Sequence, residues 1–186
     1  QCYQQLLEQQ RVCDVDDLVL VPYLELARDP EKAAAIARRF DSLLVDEYQD
    51  TNLAQYAIAR ALSIDHPNLA VTGDPDQSIY GWRGARVENI RDFQTQYPNA
   101  VSIRLEQNYR STGNILNAAN AIIENNGGRM GKNLWTEDGE GAPVRLYAAY
   151  NERDEADFVV NRIRDWVNQG NRRDEAAVLY RSNAQS

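Results

Sequence analysis

The sequence predicts an α/β fold built on a parallel sheet with helices on its faces. Two observations predict it. Short apolar runs alternate with amphipathic segments between Leu43 and Leu105, the order in which neighbouring strands are joined by crossover helices. Each run also ends in a polar cluster: Asp46-Glu47, Gly73-Asp74 and Glu106-Gln107-Asn108. Ligands in open parallel sheets bind at the carboxyl ends of the strands, so the clusters are expected to converge on one edge.

The first forty residues read as helical, with Asp14 or Asp16 capping a segment through Leu26 and Asp29-Pro30 starting another that runs to about Arg39. Leu43 to Val45 reads as a buried strand, Asn52 to Leu62 as a helix, and Leu69 to Thr72 as a second strand closed by Gly73-Asp74-Pro75. Val87 to Tyr97 is expected to be helical and Val101 to Leu105 to be a third strand. The pattern then restarts. Ser111 or Thr112 caps a helix with Ile115, Leu116, Ala119, Ile122 and Ile123 on one face, and a Gly-rich loop runs from Gly127 to Gly141. Val144 to Ala148 reads as a strand, and Asn151 with Asp154 as a capping box. The helix behind it stops at Gly170, and Ala176 to Tyr180 is the last expected strand. This second set has only two strands, a marginal sheet. Two domains are expected, residues 1–106 and 107–186.

Composition bounds the rest. With 43% hydrophobic residues in 186, the chain can bury a core. Its apolar runs are too short to span a bilayer, and its N-terminus lacks a basic start followed by an apolar stretch. It begins without Met, as expected of a fragment. Cys2 and Cys13 have neither the spacing nor a nearby His for zinc. They read as reduced, half-buried thiols, in keeping with a cytoplasmic location. A net charge of −8 argues against a generally basic nucleic-acid binder but leaves room for a local groove. Lys32 and Lys132 are the only lysines among 20 basic residues, so arginine, suited to planar phosphate contacts and stacking, supplies the rest.

Three clusters can carry chemistry. An Asp at a strand end, such as Asp46, can hold Mg²⁺, and a neighbouring carboxylate, here Glu47, can polarise an attacking water. The same pair also fits two solvated acids, although the continuation Asp46-Glu47-Tyr48-Gln49-Asp50-Thr51 is far more specific. In Gly73 to Ala85, Gln77 is a neutral group able to sense a terminal phosphate or place a water. Tyr80 and Trp82 beside Arg83 offer π-faces and a cation to unstacked bases, or else pack as core. Arg110, at the expected boundary, can reach a γ-phosphate across a cleft, or lie on the surface before the next helix.

Together these segments resemble superfamily 1A helicases of the UvrD/Rep/PcrA type. Asp46 to Thr51 resembles their motif II, or Walker B, Gly73 to Ala85 their motif III, and Gln107 to Ser111 their motif IV. Asp16-Asp17-Leu18, Lys132 to Thr136 and Ala177 to Ser186 resemble further segments of the family. The resemblance implies a RecA-like fold, with the C-terminal part of domain 1A followed by the start of domain 2A. It implies an ATP-driven motor moving 3′ to 5′ on single-stranded DNA, acting at junctions of single and double strands and serving DNA repair or replication. By the family pattern, Asp46 and Glu47 serve Mg²⁺ and Glu47 activates water. Gln77, Tyr109 and Arg110 contact ATP: Gln77 and Arg110 at the γ-phosphate, Tyr109 on the adenine. Tyr80, Trp82 and Arg83 face the DNA.

The family's phosphate-cradling loop, G-x-x-x-x-G-K-[ST], is absent from these residues, since neither Lys32 nor Lys132 sits in that frame. The arginine-bearing motif VI is absent too. The chain is therefore expected to be an internal piece, inactive towards ATP alone. Two other readings are a single-strand-binding module without motor activity and a relative of helicase–nuclease subunits.

Overall fold

The computed structural model describes residues 2–63 and 68–183. Ala184, Gln185 and Ser186, which close the last segment of the resemblance, lie outside the described residues. The chain divides into two compact units, Gln1–Gly141 and Ala142–Ser186.

The first unit opens with helices α1 (Cys2–Gln10), α2 (Asp17–Arg28) and α3 (Pro30–Ala37). Of the two acids expected to cap α2, Asp14 makes the bond. Its Oδ1 accepts from the Asp17 amide at 2.9 Å, and Asp17 Oδ2 accepts from the Asp14 amide at 3.2 Å. This reciprocal pair satisfies donors that a helix start leaves free. Asp29 caps α3 as expected, accepting from the Lys32 amide at 2.9 Å, with Pro30 at the first helical position.

Strands β1 (Leu43–Val45) and β2 (Leu69–Val71) pair in parallel, Leu43 opposite Leu69 and Val45 opposite Val71. Helix α4 (Leu53–Ser63) makes the crossover, and α2 and α3 pack on it. Leu26 of α2 and Ala33 of α3 are buried there. Tyr48, just past β1, is buried and meets the Phe93 ring edge-on at 5.9 Å. Burial pushes its phenol up to about 12. The helix expected over Val87 to Tyr97 is split into α5 (Glu88–Arg91) and α6 (Phe93–Gln96) at Asp92, a weak helix former.

The third expected strand does not form among the described residues, where the only sheet is β1–β2. Val101, Ile103 and Leu105 alternate as a strand requires, yet they are exposed and unpaired. The alternation records a face, whereas a strand also needs a neighbour to share its hydrogen bonds. The next residues are held differently, by a parallel bridge between Gln107 and Trp135. Helix α7 (Gly113–Ile123) buries Leu116. Thr112 caps it by backbone conformation only, and the free amides of its first turn donate to the carbonyls of Gly139 and Glu140 at 2.7 and 2.9 Å.

The second unit is organised on α8 (Glu152–Asn168). Asn151 caps it, accepting from the Asp154 amide at 3.0 Å, but the Asp154 carboxylate turns to the Tyr150 amide and the Tyr147 hydroxyl rather than closing a capping box. Tyr147 stacks on Phe158 at 3.9 Å. Neither Val144 to Ala148 nor Ala176 to Tyr180 forms a strand, and Leu146 and Leu179 are exposed. The reason is again a missing partner: each segment has strand chemistry and no ladder. Cys13 is a free thiol and is exposed rather than half-buried. No helix among the described residues is long and apolar enough to cross a membrane.

Candidate functional site

The two strand ends lie side by side, because the ladder continues one step beyond each strand. The Thr72 amide donates to the Val45 carbonyl at 2.8 Å and the Tyr48 amide to the Thr72 carbonyl at 3.0 Å. This register sets Asp46 beside Thr72. Asp46 Oδ1 accepts from the Thr72 hydroxyl and, at 2.9 Å, from the Glu47 amide. Those bonds hold the Asp46 carboxyl below the usual carboxylate range, the hydroxyl contributing most. Its other oxygen has no hydrogen bond among the described residues, and the residue is exposed.

Glu47 carries backbone strain. Its φ of 51° and ψ of 44° lie in the left-handed region, which costs a residue with a side chain about 1–3 kcal/mol. That turn ends the strand and leaves Glu47 exposed beside Asp46.

Gln49, inside the Asp46 to Thr51 segment but given no role there, joins the two loops. It is 1% exposed. Its amide nitrogen donates to Glu47 Oε2 at 2.6 Å, and its Oε1 accepts from the Asp74 amide at 3.0 Å. Gly73 makes room for this contact, since a Cβ there would collide with Gln49 Oε1 and lie 2.9 Å from Ile90 Cδ1. Its signal in the sequence was its place in the Asp46 to Thr51 segment. Asn89, also buried, fastens the loops further on by donating to the Thr51 carbonyl and hydroxyl at 3.1 and 3.0 Å.

Asp74 continues the chain of contacts. Its Oδ2 accepts from Gln77 Nε2 at 2.7 Å and from Lys132 Nζ at 2.5 Å. Burial pushes the Asp74 carboxyl up, but the Lys132 and Gln77 hydrogen bonds outweigh it and hold the group below its ordinary value. Asp46, Glu47 and Gln77 are therefore brought together, through Gln49 and Asp74.

The aromatic cluster lies on the same loop. Trp82 is 80% exposed, so it is not core. The Arg83 guanidinium sits 5.4 Å from the Tyr80 ring centre and 5.5 Å from that of Trp82, a cation shared by two π-faces. Gly84, at φ 85°, closes this turn in a conformation that favours glycine.

Tyr109 and Arg110 are placed separately. Asn108 Oδ1 accepts from the Arg110 and Ser111 amides at 2.9 and 2.7 Å, forming a tight turn that leaves the Tyr109 and Arg110 side chains exposed. Tyr109 donates to Gln107 Oε1 at 2.8 Å, whereas Arg110's guanidinium has no partner among the described residues. No hydrogen bond joins either residue to the Asp46–Gln77 group among the described residues.

Among the described residues no three His, Cys, Asp or Glu side chains gather as a metal cage. Mg²⁺ needs no such cage, since it keeps several waters and takes one or two carboxylates with substrate phosphates. Asp46, ionised and with one oxygen free, fits that role.

Residues 1–98 match the model of the UvrD/REP helicase N-terminal domain, and residues 103–186 that of the UvrD-like helicase C-terminal domain. The chain is 53% identical over its whole length to DNA helicase II of Escherichia coli K12, covering 26% of that protein. It is 52% identical to DNA helicase II of Salmonella typhimurium, again covering 26%. Over 184 residues it is 48% identical to the ATP-dependent DNA helicase PcrA of Staphylococcus epidermidis, covering 99% of this chain and 25% of that one. It thus spans about a quarter of the length of these relatives. The chain belongs to the UvrD/REP helicase family.

Proposed function

We propose that the chain is the segment of an ATP-dependent DNA helicase that activates the attacking water and grips the translocating strand. In the full-length protein, hydrolysis of Mg-ATP drives 3′ to 5′ movement along single-stranded DNA towards a duplex junction. The observation that carries this reading is the hydrogen-bonded series from Asp46 and Glu47 through Gln49 and Asp74 to Gln77, on the same loop as Tyr80, Trp82 and Arg83. The catalytic groups and the strand-gripping groups are then joined through one loop.

In this reading Asp46 holds Mg²⁺ by its free oxygen, and the ion, when bound, neutralises phosphate charge. Glu47 keeps one carboxylate oxygen on Gln49 and offers the other to the water, taking its proton. Gln77 stands at the γ-phosphate, and Arg110 reaches the same phosphate with its unpartnered guanidinium. Tyr109 stacks on the adenine, and Trp82 stacks on a base. The RecA-like domains 1A and 2A meet, in this reading, at residues 106/107, a few residues inside the match to the C-terminal domain, which begins at 103. The phosphate-cradling loop is not within these 186 residues, so the chain alone is expected to be inactive. Cytoplasmic repair or replication proteins are the expected partners.

Unwinding tests the reading. The full-length protein should displace the strand of a duplex with a 3′ single-stranded tail, in ATP and Mg²⁺. It should leave a 5′-tailed duplex intact. Equal unwinding of both, or of neither, contradicts it.

A further inference from the structure

The Gly-rich stretch after α7 does more than connect. Arg129 Nε and Nη2 donate to Asp76 Oδ2 at 3.2 and 3.1 Å, with both side chains largely buried. Lys132 Nζ reaches Asp74 Oδ2. Asn120 of α7 exchanges two hydrogen bonds with the Leu134 backbone, at 2.9 and 3.2 Å. Trp135 then pairs with Glu106 and Asn108, immediately before Tyr109 and Arg110. Residues 129–135 thus run as a strap from the Gln77 loop to the Tyr109–Arg110 turn.

Asp74 Oδ2 has two lone pairs and both are used, one by Lys132 and one by Gln77. A carboxylate only accepts, so its bond to Gln77 dictates which end of that amide faces it. One of the two Nε2 hydrogens is used on Asp74, which leaves the second N–H as a donor and Oε1 as an acceptor. A γ-phosphate oxygen needs a donor and an attacking water an acceptor, and the held amide offers one of each.

We infer that Lys132 is a positioning residue for catalysis: by clamping Asp74 it holds the Gln77 amide in one orientation, with its second N–H and its carbonyl oxygen left for the γ-phosphate and the attacking water. This rests on the reading of the site as one that hydrolyses ATP. Without Lys132 the Asp74 carboxylate loses its cation and its fixed rotation, and the Gln77 amide turns freely. Lys132 touches neither nucleotide nor water; its effect passes through Asp74.

The test uses the full-length protein and its DNA-stimulated ATP hydrolysis. Lys132→Met should lower kcat about ten- to a hundredfold, the scale of a misplaced catalytic group. KM for ATP should change less than about twofold, since no ground-state contact is removed. Lys132→Arg should recover most of the lost rate. Lys32→Met, which breaks only the exposed pair with Glu25, should match the unsubstituted protein. In a Gln77→Ala background, Lys132→Met should cost nothing further, because the group it positions is gone. If Lys132→Met fails to fold by thermal melting, the near-isosteric Asp74→Asn carries the same cycle. The inference is overturned if Lys132→Met turns over like the unsubstituted protein, or if its loss multiplies with that of Gln77→Ala. In either case the ATPase reading survives. An unsubstituted full-length protein that hydrolyses no ATP removes that reading and this inference together.

Discussion

At the scale of single residues, Glu47 combines two costs that a purely structural position would avoid: a left-handed backbone and an exposed carboxylate next to another. Asp46, Glu47 and Gln77 were legible in the sequence because acids and amides after apolar runs stand out. Gln49 stood inside the same Asp46 to Thr51 segment, but its role was not legible, since that role depends on burial. Gly73 follows from Gln49. Gly73→Ala should destabilise the protein by about 1–3 kcal/mol, the usual penalty of overpacking, read as a lowered melting temperature. The exposure of Trp82 speaks against the core reading and leaves the stacking one to be tested. Trp82→Ala should weaken binding to labelled oligo-dT by about 1–3 kcal/mol, one stacked base. Unchanged anisotropy would refute the stacking role. Arg83→Gln should act through charge, reducing the slope of log affinity against log salt by about 1 if the guanidinium meets a phosphate.

At the scale of elements, β1, β2 and the helices α2, α3, α4, α7 and α8 were legible from period, caps and turn residues. The segments at Val101, Val144 and Ala176 were not, because alternation specifies a face while pairing is decided by a neighbour far away in sequence. The strap 129–135 was hidden for the opposite reason. Its glycines read as a loop, and its order comes from ion pairs with acids more than fifty positions earlier. That clasp predicts a pH dependence. The Asp74 carboxyl is held below its ordinary value in the folded state. Its contribution to stability is therefore complete above the unfolded carboxylate pKa of about 4 and is lost as pH falls through the lower folded value. Melting temperatures of the full-length protein across acid pH should show this loss, and Asp74→Asn should reduce it.

At the scale of the whole molecule, the chain covers about a quarter of its relatives. In the proposed reading it holds the groups that act on water, while its sequence lacks the G-x-x-x-x-G-K-[ST] frame that cradles a triphosphate. Catalysis should therefore require the full-length protein, and residues 1–186 alone should show no DNA-stimulated ATP turnover. The most direct test is Glu47→Gln in the full-length protein, assayed for ATP hydrolysis with single-stranded DNA. Removing the base while keeping the shape should cut kcat by about a hundredfold or more, and ATP and DNA should still bind. Turnover within a few-fold of the unsubstituted protein would contradict the central claim that Glu47 activates the attacking water.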